Sequence, residues 1–146
     1  MLGAFVSAAV NNIIKENDLI TLTISRELNN IGSYLERGTL IIKGNVGDYV
    51  GIAIGGSAKL IIEGNAGDNA GHTMRGDSSL TINGDVSKYA GIDMIGGTFT
   101  IKGNAGGHLG KFMRSGKLIV EGFAGEQIGE EKKGGEITVS GVKTAV

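Results

Sequence analysis

The two histidines of this 146-residue chain are the first residues to consider for catalysis or metal binding. His72 lies at the same repeat position as Ile52 and Ile92, whereas His108 lies at a different position two repeats further on. A metal site needs at least three ligands that converge, and the spacing offers no third ligand beside either histidine. We therefore predict no catalytic, cofactor-binding or metal-ligating residues, and we place both histidines at the surface or at an interface.

Two Gly-Asn-x-Gly-Asp runs, at 44–48 and 64–68, resemble calcium-binding repeats in which successive turns share carboxylates. The column of Asp48 and Asp68 continues with Lys88, which would break a row of bound ions. The neighbouring column instead predicts an asparagine ladder whose side chains satisfy backbone groups at one corner of the fold. That ladder comprises Asn45, Asn65, Asp85 and Asn104.

Phosphate binding and serine nucleophiles are also poorly supported by the residue pattern. Glycine-rich loops hold phosphate when a helix N-terminus follows them, and no helical pattern follows these glycines. A Ser-His-Asp triad needs a histidine at a matching offset, and no serine has one. The serines considered are Ser78, Ser79, Ser87 and Ser115.

Composition limits the class of protein. The chain has 14 basic and 15 acidic residues, 40% hydrophobic residues, 27 glycines, and neither cysteine nor proline. The balanced charge argues against nucleic acid as a partner, and the absence of cysteine excludes disulfides and thiolate chemistry. No apolar run reaches the length of a membrane span. We predict a cytoplasmic protein with no nucleic-acid or membrane partner.

An internal repeat explains the high glycine content. The stretch 60–67 repeats 40–47 at a spacing of twenty residues, and seven short rows recur every 18 to 20 residues. The first row is degenerate. The rows are Leu22-Thr23-Ile24, Leu40-Ile41-Ile42, Leu60-Ile61-Ile62, Leu80-Thr81-Ile82, Phe99-Thr100-Ile101, Leu118-Ile119-Val120 and Ile137-Thr138-Val139.

Each row alternates like a strand, with its first and third residues facing inward and its middle residue facing outward. A unit of 19–20 residues cannot bury its own apolar face, so the copies must stack. The constant register favours a parallel arrangement over a β-sandwich built from antiparallel hairpins. The sequence therefore predicts an all-β fold, a single parallel β-helix of about six to seven coils.

Glycines and asparagines at fixed offsets define the repeat motif. Glycine at these positions indicates corners that need positive φ or close backbone approach. The motif residues are Gly44, Asn45, Gly47, Gly51, Gly64, Asn65, Gly67, Gly71, Gly84, Gly91, Gly103, Asn104, Gly106, Gly110, Gly122, Gly125 and Gly129.

The first segment has helical rather than strand periodicity. An amphipathic helix is predicted over 1–18, capping the first coil, followed by the β-helix over 19–142 and a tail at 143–146. A signal peptide is the competing interpretation, but no positively charged segment precedes Leu2. The apolar stripe consists of Leu2, Phe5, Val6, Ala9, Val10, Ile13 and Ile14.

The repeat resembles the GXGXG-motif family, which includes the C-terminal domain of the glutamate synthase large subunit and the β-helical subunit of formylmethanofuran dehydrogenase. The matching residues lie in 44–51, 64–74, 91–97 and 103–113, and the resemblance covers about 38–142. It implies a right-handed β-helix that acts as a scaffold in a redox or one-carbon enzyme complex. Cofactors in such complexes are carried by other domains, so the resemblance implies no cofactor here.

These observations predict a non-catalytic scaffold subunit bound to other protein subunits. A self-associating module, a homo-oligomer that pairs through an open C-terminal edge, is the first alternative. An enzyme with its site at a subunit interface is the second. The candidate interface comprises Ile41, Ile61, Thr81, Thr100, Ile119, Ile137 and Val139.

Overall fold

The structure is a computed structural model that describes residues 2–141, which form one helix and seven strands. Residues 1 and 142, and the predicted tail at 143–146, lie outside the described residues. Helix α1 spans Leu2–Ile13. The strands are β1 (Leu19–Thr23), β2 (Thr39–Lys43), β3 (Lys59–Glu63), β4 (Ser79–Ile82), β5 (Ile95–Ile101), β6 (Ser115–Val120) and β7 (Glu136–Val139).

The seven strands form one parallel sheet in chain order, each strand pairing with the next. The register follows the repeat, because Leu40 pairs with Leu60, which pairs with Leu80. The predicted all-β solenoid is therefore confirmed, with about six turns and one N-terminal helix. The column of small residues adds a second line of parallel bridges from Ala66 through Val86 and Ala105 to Ala124.

The core runs along the axis of the solenoid. Inward strand residues such as Leu60, Ile62 and Phe99 are fully buried. Ala70 and Met74, from the glycine-rich half of one coil, are also fully buried. Each coil thus contributes side chains to the core from both halves, as expected when no single repeat can bury its own apolar face.

The predicted position of the first row is wrong by two residues. Strand β1 pairs Ile20 with Leu40 and Leu22 with Ile42, so the first row is 20–22 rather than 22–24. A slip of two residues leaves every side chain on the same face, because the side-chain period of a strand is two. The apolar pattern could therefore not distinguish the two registers.

The predicted apolar stripe of α1 is only partly correct. Val10 is buried, but Phe5 is 74% exposed and Ile13 is 65% exposed. The helix instead turns Gly3 and Ser7 toward the first coil. A Cβ at residue 3 would overlap the backbone oxygen of a residue in that coil, so this face must be small to approach closely.

Polar side chains of α1 form hydrogen bonds to the backbone of the first coil. Ser7 Oγ donates to Asn30 O at 3.0 Å and accepts from Ser33 N at 3.3 Å. Asn11 Nδ2 donates to Ser33 O at 2.9 Å. Ser33 O is the group among these that a preceding coil would otherwise bond, since its counterpart Ile52 O accepts from Tyr34 N.

The last coil has no such cover among the described residues. Phe123 is 48% exposed and Ile128 is 46% exposed, although both lie in the glycine-rich half of that coil.

Within residues 2–141, no helix is long and apolar enough to cross a membrane.

Candidate functional site

One side of the solenoid is built from backbone in the left-handed conformation. Each coil contains a five-residue segment whose first, third and fifth residues have positive φ. Glycine occupies the third position in every coil, with φ between 65° and 75°. We call this surface the αL face; its segments are 30–34, 49–53, 69–73, 89–93, 108–112 and 127–131.

The alternating conformation makes the backbone of the αL face bond in both directions along the axis. Tyr49 N donates to Asp68 O in the following coil at 2.9 Å, and Ala53 N donates to His72 O at 2.8 Å. Gly51 N donates to Ile31 O in the preceding coil at 2.9 Å. These bonds between coils stabilise residues such as Tyr49 in a conformation that is costly for any residue with a Cβ.

His72 lies on the αL face between an aromatic ring and a carboxylate. Its Nε2 is 3.5 Å from Asp93 Oδ2, and the Tyr49 ring stands edge-on to the imidazole at a centroid distance of 6.4 Å. His72 Nδ1 is buried without a hydrogen-bond partner in the described structure. The contact with Asp93 is therefore the one polar interaction of this imidazole among the described residues.

His108 forms a tighter cluster two coils further on. Its Nδ1 is 3.0 Å from Glu130 Oε2, and Lys111 Nζ is 3.3 Å from the same oxygen. The Tyr89 ring stacks on the imidazole at 4.7 Å, with 11° between the planes. The hydrogen bond from His108 is the main cause that lowers the pKa of the Glu130 carboxyl below its ordinary value; Lys111 adds to it, and partial desolvation opposes it.

A histidine oriented by a carboxylate can serve as a general base when a substrate lies within reach. Surface depressions with volumes of 280, 340, 350 and 400 Å³ occur on the described part of the chain, and neither histidine lines any of them. Across residues 2–141, no three metal-ligating side chains come together. The arrangement thus supplies two isolated histidine–carboxylate pairs on an open surface.

The predicted asparagine ladder is confirmed. Asn65 N donates to Asn45 Oδ1 at 2.9 Å, and Asp85 N donates to Asn65 Oδ1 at 2.8 Å. The series continues when Asn104 N donates to Asp85 Oδ1 and Phe123 N donates to Asn104 Oδ1, both at 2.8 Å. Each side chain therefore binds the backbone of the next coil, one hydrogen bond per turn.

A second ladder, which the residue pattern did not predict, lies at the column of Asp48 and Asp68. Asp48 N donates to Asn29 Oδ1, Asp68 N to Asp48 Oδ1 and Lys88 N to Asp68 Oδ1, at 2.8 to 3.0 Å. The recurrence of Asn or Asp beside a glycine was the available signal. One carboxylate oxygen of Asp48 and one of Asp68 thus accept a backbone N–H group of the next coil.

The motif glycines make room for these two ladders or adopt positive φ. A Cβ on Gly64 would overlap Gly44 O, and a Cβ on Gly84 would overlap Asn65 Oδ1. A Cβ on Gly67 would overlap Asp48 Oδ1. The column of Gly51 and its counterparts is different, because its members have positive φ on the αL face. Positive φ also occurs at six glycines that lie shortly before a strand or, for Gly97 and Gly116, inside β5 and β6; the other four are Gly38, Gly56, Gly76 and Gly135.

The candidate interface residues fall into two groups. Those of β2 to β6 form one outward row across adjacent strands, and all are half-buried. Ile137 and Val139 belong to the inward columns instead, because they pair with Leu118 and Val120. The outward row comprises Ile41, Ile61, Thr81, Thr100 and Ile119.

Comparison with protein families, curated proteins and solved structures found no match to this chain. The αL face and the outward row are therefore interpreted from their own chemistry.

Proposed function

We propose that this chain is a non-catalytic β-solenoid scaffold subunit of a larger enzyme assembly. The observation that carries the proposal is the use of the repeated polar columns: Asn45, Asn65 and Asp85 bind the backbone of the next coil. The side-chain oxygens used in this way stabilise the fold. The resemblance to the GXGXG family supports a redox or one-carbon assembly, whose cofactors would be held by its other subunits.

The outward row is the surface that we propose for the partner subunit. Five parallel strands about 4.8 Å apart present it as a flat band roughly 20 Å long. Its residues are isoleucine and threonine, and none carries a charge. Uncharged aliphatic and hydroxyl side chains on a flat surface suit the centre of a protein–protein contact, from which charged residues are depleted.

Capture of partners with matched variants tests this proposal. Tagged chain is cross-linked in cells of the source organism, and bound proteins are identified by mass spectrometry. Thr81→Arg places a charge in the outward row, whereas Asn69→Arg places the same charge on the αL face. We expect oxidoreductase subunits to be recovered with wild type and Asn69→Arg, and to be lost with Thr81→Arg. Robust turnover by the purified chain alone would contradict a non-catalytic role and favour the enzyme alternative.

Self-association is a second candidate function, supported by the two free edges of the sheet. Strands β1 and β7 each pair with one neighbour only among the described residues. Unpaired strand edges are templates for pairing with another chain. Sedimentation over a range of protein concentrations tests this function, and a strict monomer at high concentration would contradict it.

A further inference from the structure

The outer edge of β1 presents unpaired backbone groups in a regular pattern. Backbone groups of Asp18 and Ile24 bond to β2, so the even-numbered residues face that strand. The N–H and C=O groups of Leu19, Thr21 and Thr23 then point away from β2, because these groups alternate along a strand. No hydrogen bond within residues 2–141 engages their three N–H groups.

The core is also incompletely covered beside this edge. Ile20 and Leu22 face inward but are only half-buried, whereas their counterparts in the next coil, Leu40 and Ile42, are 1% and 0% exposed. Helix α1 covers the part of the first coil around residues 30–33. The half of that coil that contains β1 is left open.

Exposed apolar residues of α1 lie on the flank of the helix opposite the αL face. Ala4 and Ala8 line a groove against the αL face, which places that flank of the helix away from β1. At 100° per residue, Leu2 and Ile13 lie on the opposite flank, and Phe5 points away from the coil. All three large side chains are exposed. The helix and β1 therefore both present exposed apolar side chains at this end of the solenoid.

The composition of α1 and β1 favours one kind of partner. Residues 2–14 and 19–25 contain no charged side chain, and the charges at this end lie in the segments that flank β1, at Lys15, Glu16, Asp18, Arg26 and Glu27. A two-fold contact brings each charge near its own copy, so an uncharged surface is the one that pairs with itself without repulsion. The opposite end is different, because the last coil carries glutamates. These are Glu121, Glu126, Glu130, Glu131 and Glu136.

We propose that the N-terminal end binds a second copy of this chain through antiparallel pairing of β1 with β1 about a two-fold axis. With the axis at Thr21, the Thr21 residues of the two copies exchange both backbone hydrogen bonds, and Leu19 does the same with Thr23 of the second copy. Ile20 then lies opposite Leu22 of the second copy, which continues the core across the contact. The proposal holds whether or not the chain is a scaffold subunit, but it rests on the self-association candidate.

Matched lysine variants of the full chain test this contact. Thr21 and Thr138 are both exposed outward-facing threonines, one on each edge strand. Thr21→Lys places two ammonium groups opposite each other across the proposed axis, whereas Thr138→Lys changes the other edge. We expect Thr21→Lys to raise the dimer dissociation constant by roughly fivefold or more, measured by sedimentation equilibrium, and Thr138→Lys to leave it unchanged.

A disulfide provides a direct readout of the same geometry, because the chain has no native cysteine. Thr21→Cys brings two thiols together at the axis, where Cα atoms about 5.5 Å apart permit a disulfide. We expect a covalent dimer of Thr21→Cys after mild oxidation and monomer for Thr138→Cys. A monomeric wild type would overturn both this proposal and self-association. A dimer sensitive to Thr138→Lys alone, or to neither variant, would overturn this proposal and leave self-association standing.

Discussion

The two ends of the solenoid differ in whether the described residues replace a missing neighbouring coil. At the N-terminal end, Ser7 and Asn11 of α1 bind backbone groups of the first coil. At the C-terminal end, the N–H groups of Gln127 and Glu131 have no backbone acceptor within residues 2–141, although their counterparts in every earlier coil donate to the following one. A solenoid end thus needs hydrogen-bond partners as well as apolar cover.

The N-terminal end also shows that these two requirements can be met separately. Helix α1 supplies hydrogen bonds to the αL segment of the first coil, and it leaves the core beside β1 half-exposed. The backbone groups along the side of a helix bond within the helix, so this side cannot pair with the free edge of a strand. The remaining requirement at β1 is therefore a strand, which is what a second copy would supply.

The largest expected effect comes from comparing an interior glycine with its counterpart in the last coil. Gly71 and Gly129 both have positive φ, but a Cβ on Gly71 would lie 2.7 Å from the Phe99 ring. A Cβ on Gly129 would lie 3.5 Å from its nearest neighbour, a side-chain atom of Ile137. We expect Gly71→Val to cost about 3 kcal/mol or more of unfolding free energy, and Gly129→Val about 1–2 kcal/mol.

Urea unfolding followed by circular dichroism measures both glycine variants. Equal losses would contradict the view that crowding by the next coil, in addition to φ, excludes a side chain from the interior positions.

A smaller effect is expected when the hydrogen bonds from α1 are removed. Ser7→Ala deletes the hydroxyl that accepts from Ser33 N, and Asn30 O keeps its bond from Ser33 Oγ, so the buried Ser33 N is the group left without this partner. We expect a loss of about 1–3 kcal/mol in thermal unfolding. Asn12→Ala is the control, because Asn12 is exposed and makes no side-chain hydrogen bond within the described chain. If both variants were equally stable, the helix would not be acting as a substitute coil.

The sequence predicted the interior of the molecule better than its ends, for a physical reason. Interior coils repeat, so Leu40, Leu60 and Leu80 mark the register directly. At the N-terminal end, α1 packs against backbone atoms of the first coil. Close approach and hydrogen bonding there favour Gly3 and Ser7 over an apolar stripe. The criterion of apolar periodicity therefore selected part of the wrong face of α1.

The αL face was only partly predictable from residue types. Its central glycine column was recognised, but the flanking positions hold residues such as Tyr89 and Thr73, which give no sign of positive φ. Their conformation is imposed by hydrogen bonds between coils, and that information is not local. The histidine–carboxylate pairs were missed for the same reason, because His108 and Glu130 occupy different columns.

Relief of strain on the αL face should give a modest gain in stability. Ala53 has a φ of 57° in the interior of the solenoid, and glycine adopts this conformation without the steric cost of a Cβ. We expect Ala53→Gly to stabilise the fold by up to about 1 kcal/mol in urea unfolding. Ala8→Gly, on the exposed side of α1, should instead destabilise by about 0.5–1 kcal/mol. A loss of stability in Ala53→Gly would show that its methyl group packs more favourably than its backbone is strained.

The smallest effect concerns the cluster that ties the last coil to the preceding one. Glu130 accepts from His108 and Lys111, and these contacts lower the pKa of its carboxyl from 4.5. The contribution of Glu130 to stability is therefore fully present above pH 4.5. The contribution is lost as pH falls through the lower pKa of the folded state, because the protonated carboxyl no longer pairs with the cations. We expect Glu130→Gln to be slightly less stable than wild type at pH 7 and equal to it at the acid end of a urea-unfolding series.

Glu131→Gln is the control, because Glu131 lies beside Glu130 but forms no ion pair within residues 2–141. Its unfolding free energy should equal that of wild type at every pH. A gap between Glu130→Gln and wild type that did not narrow with acid would mean that the last coil is held by packing alone, as the interior coils are.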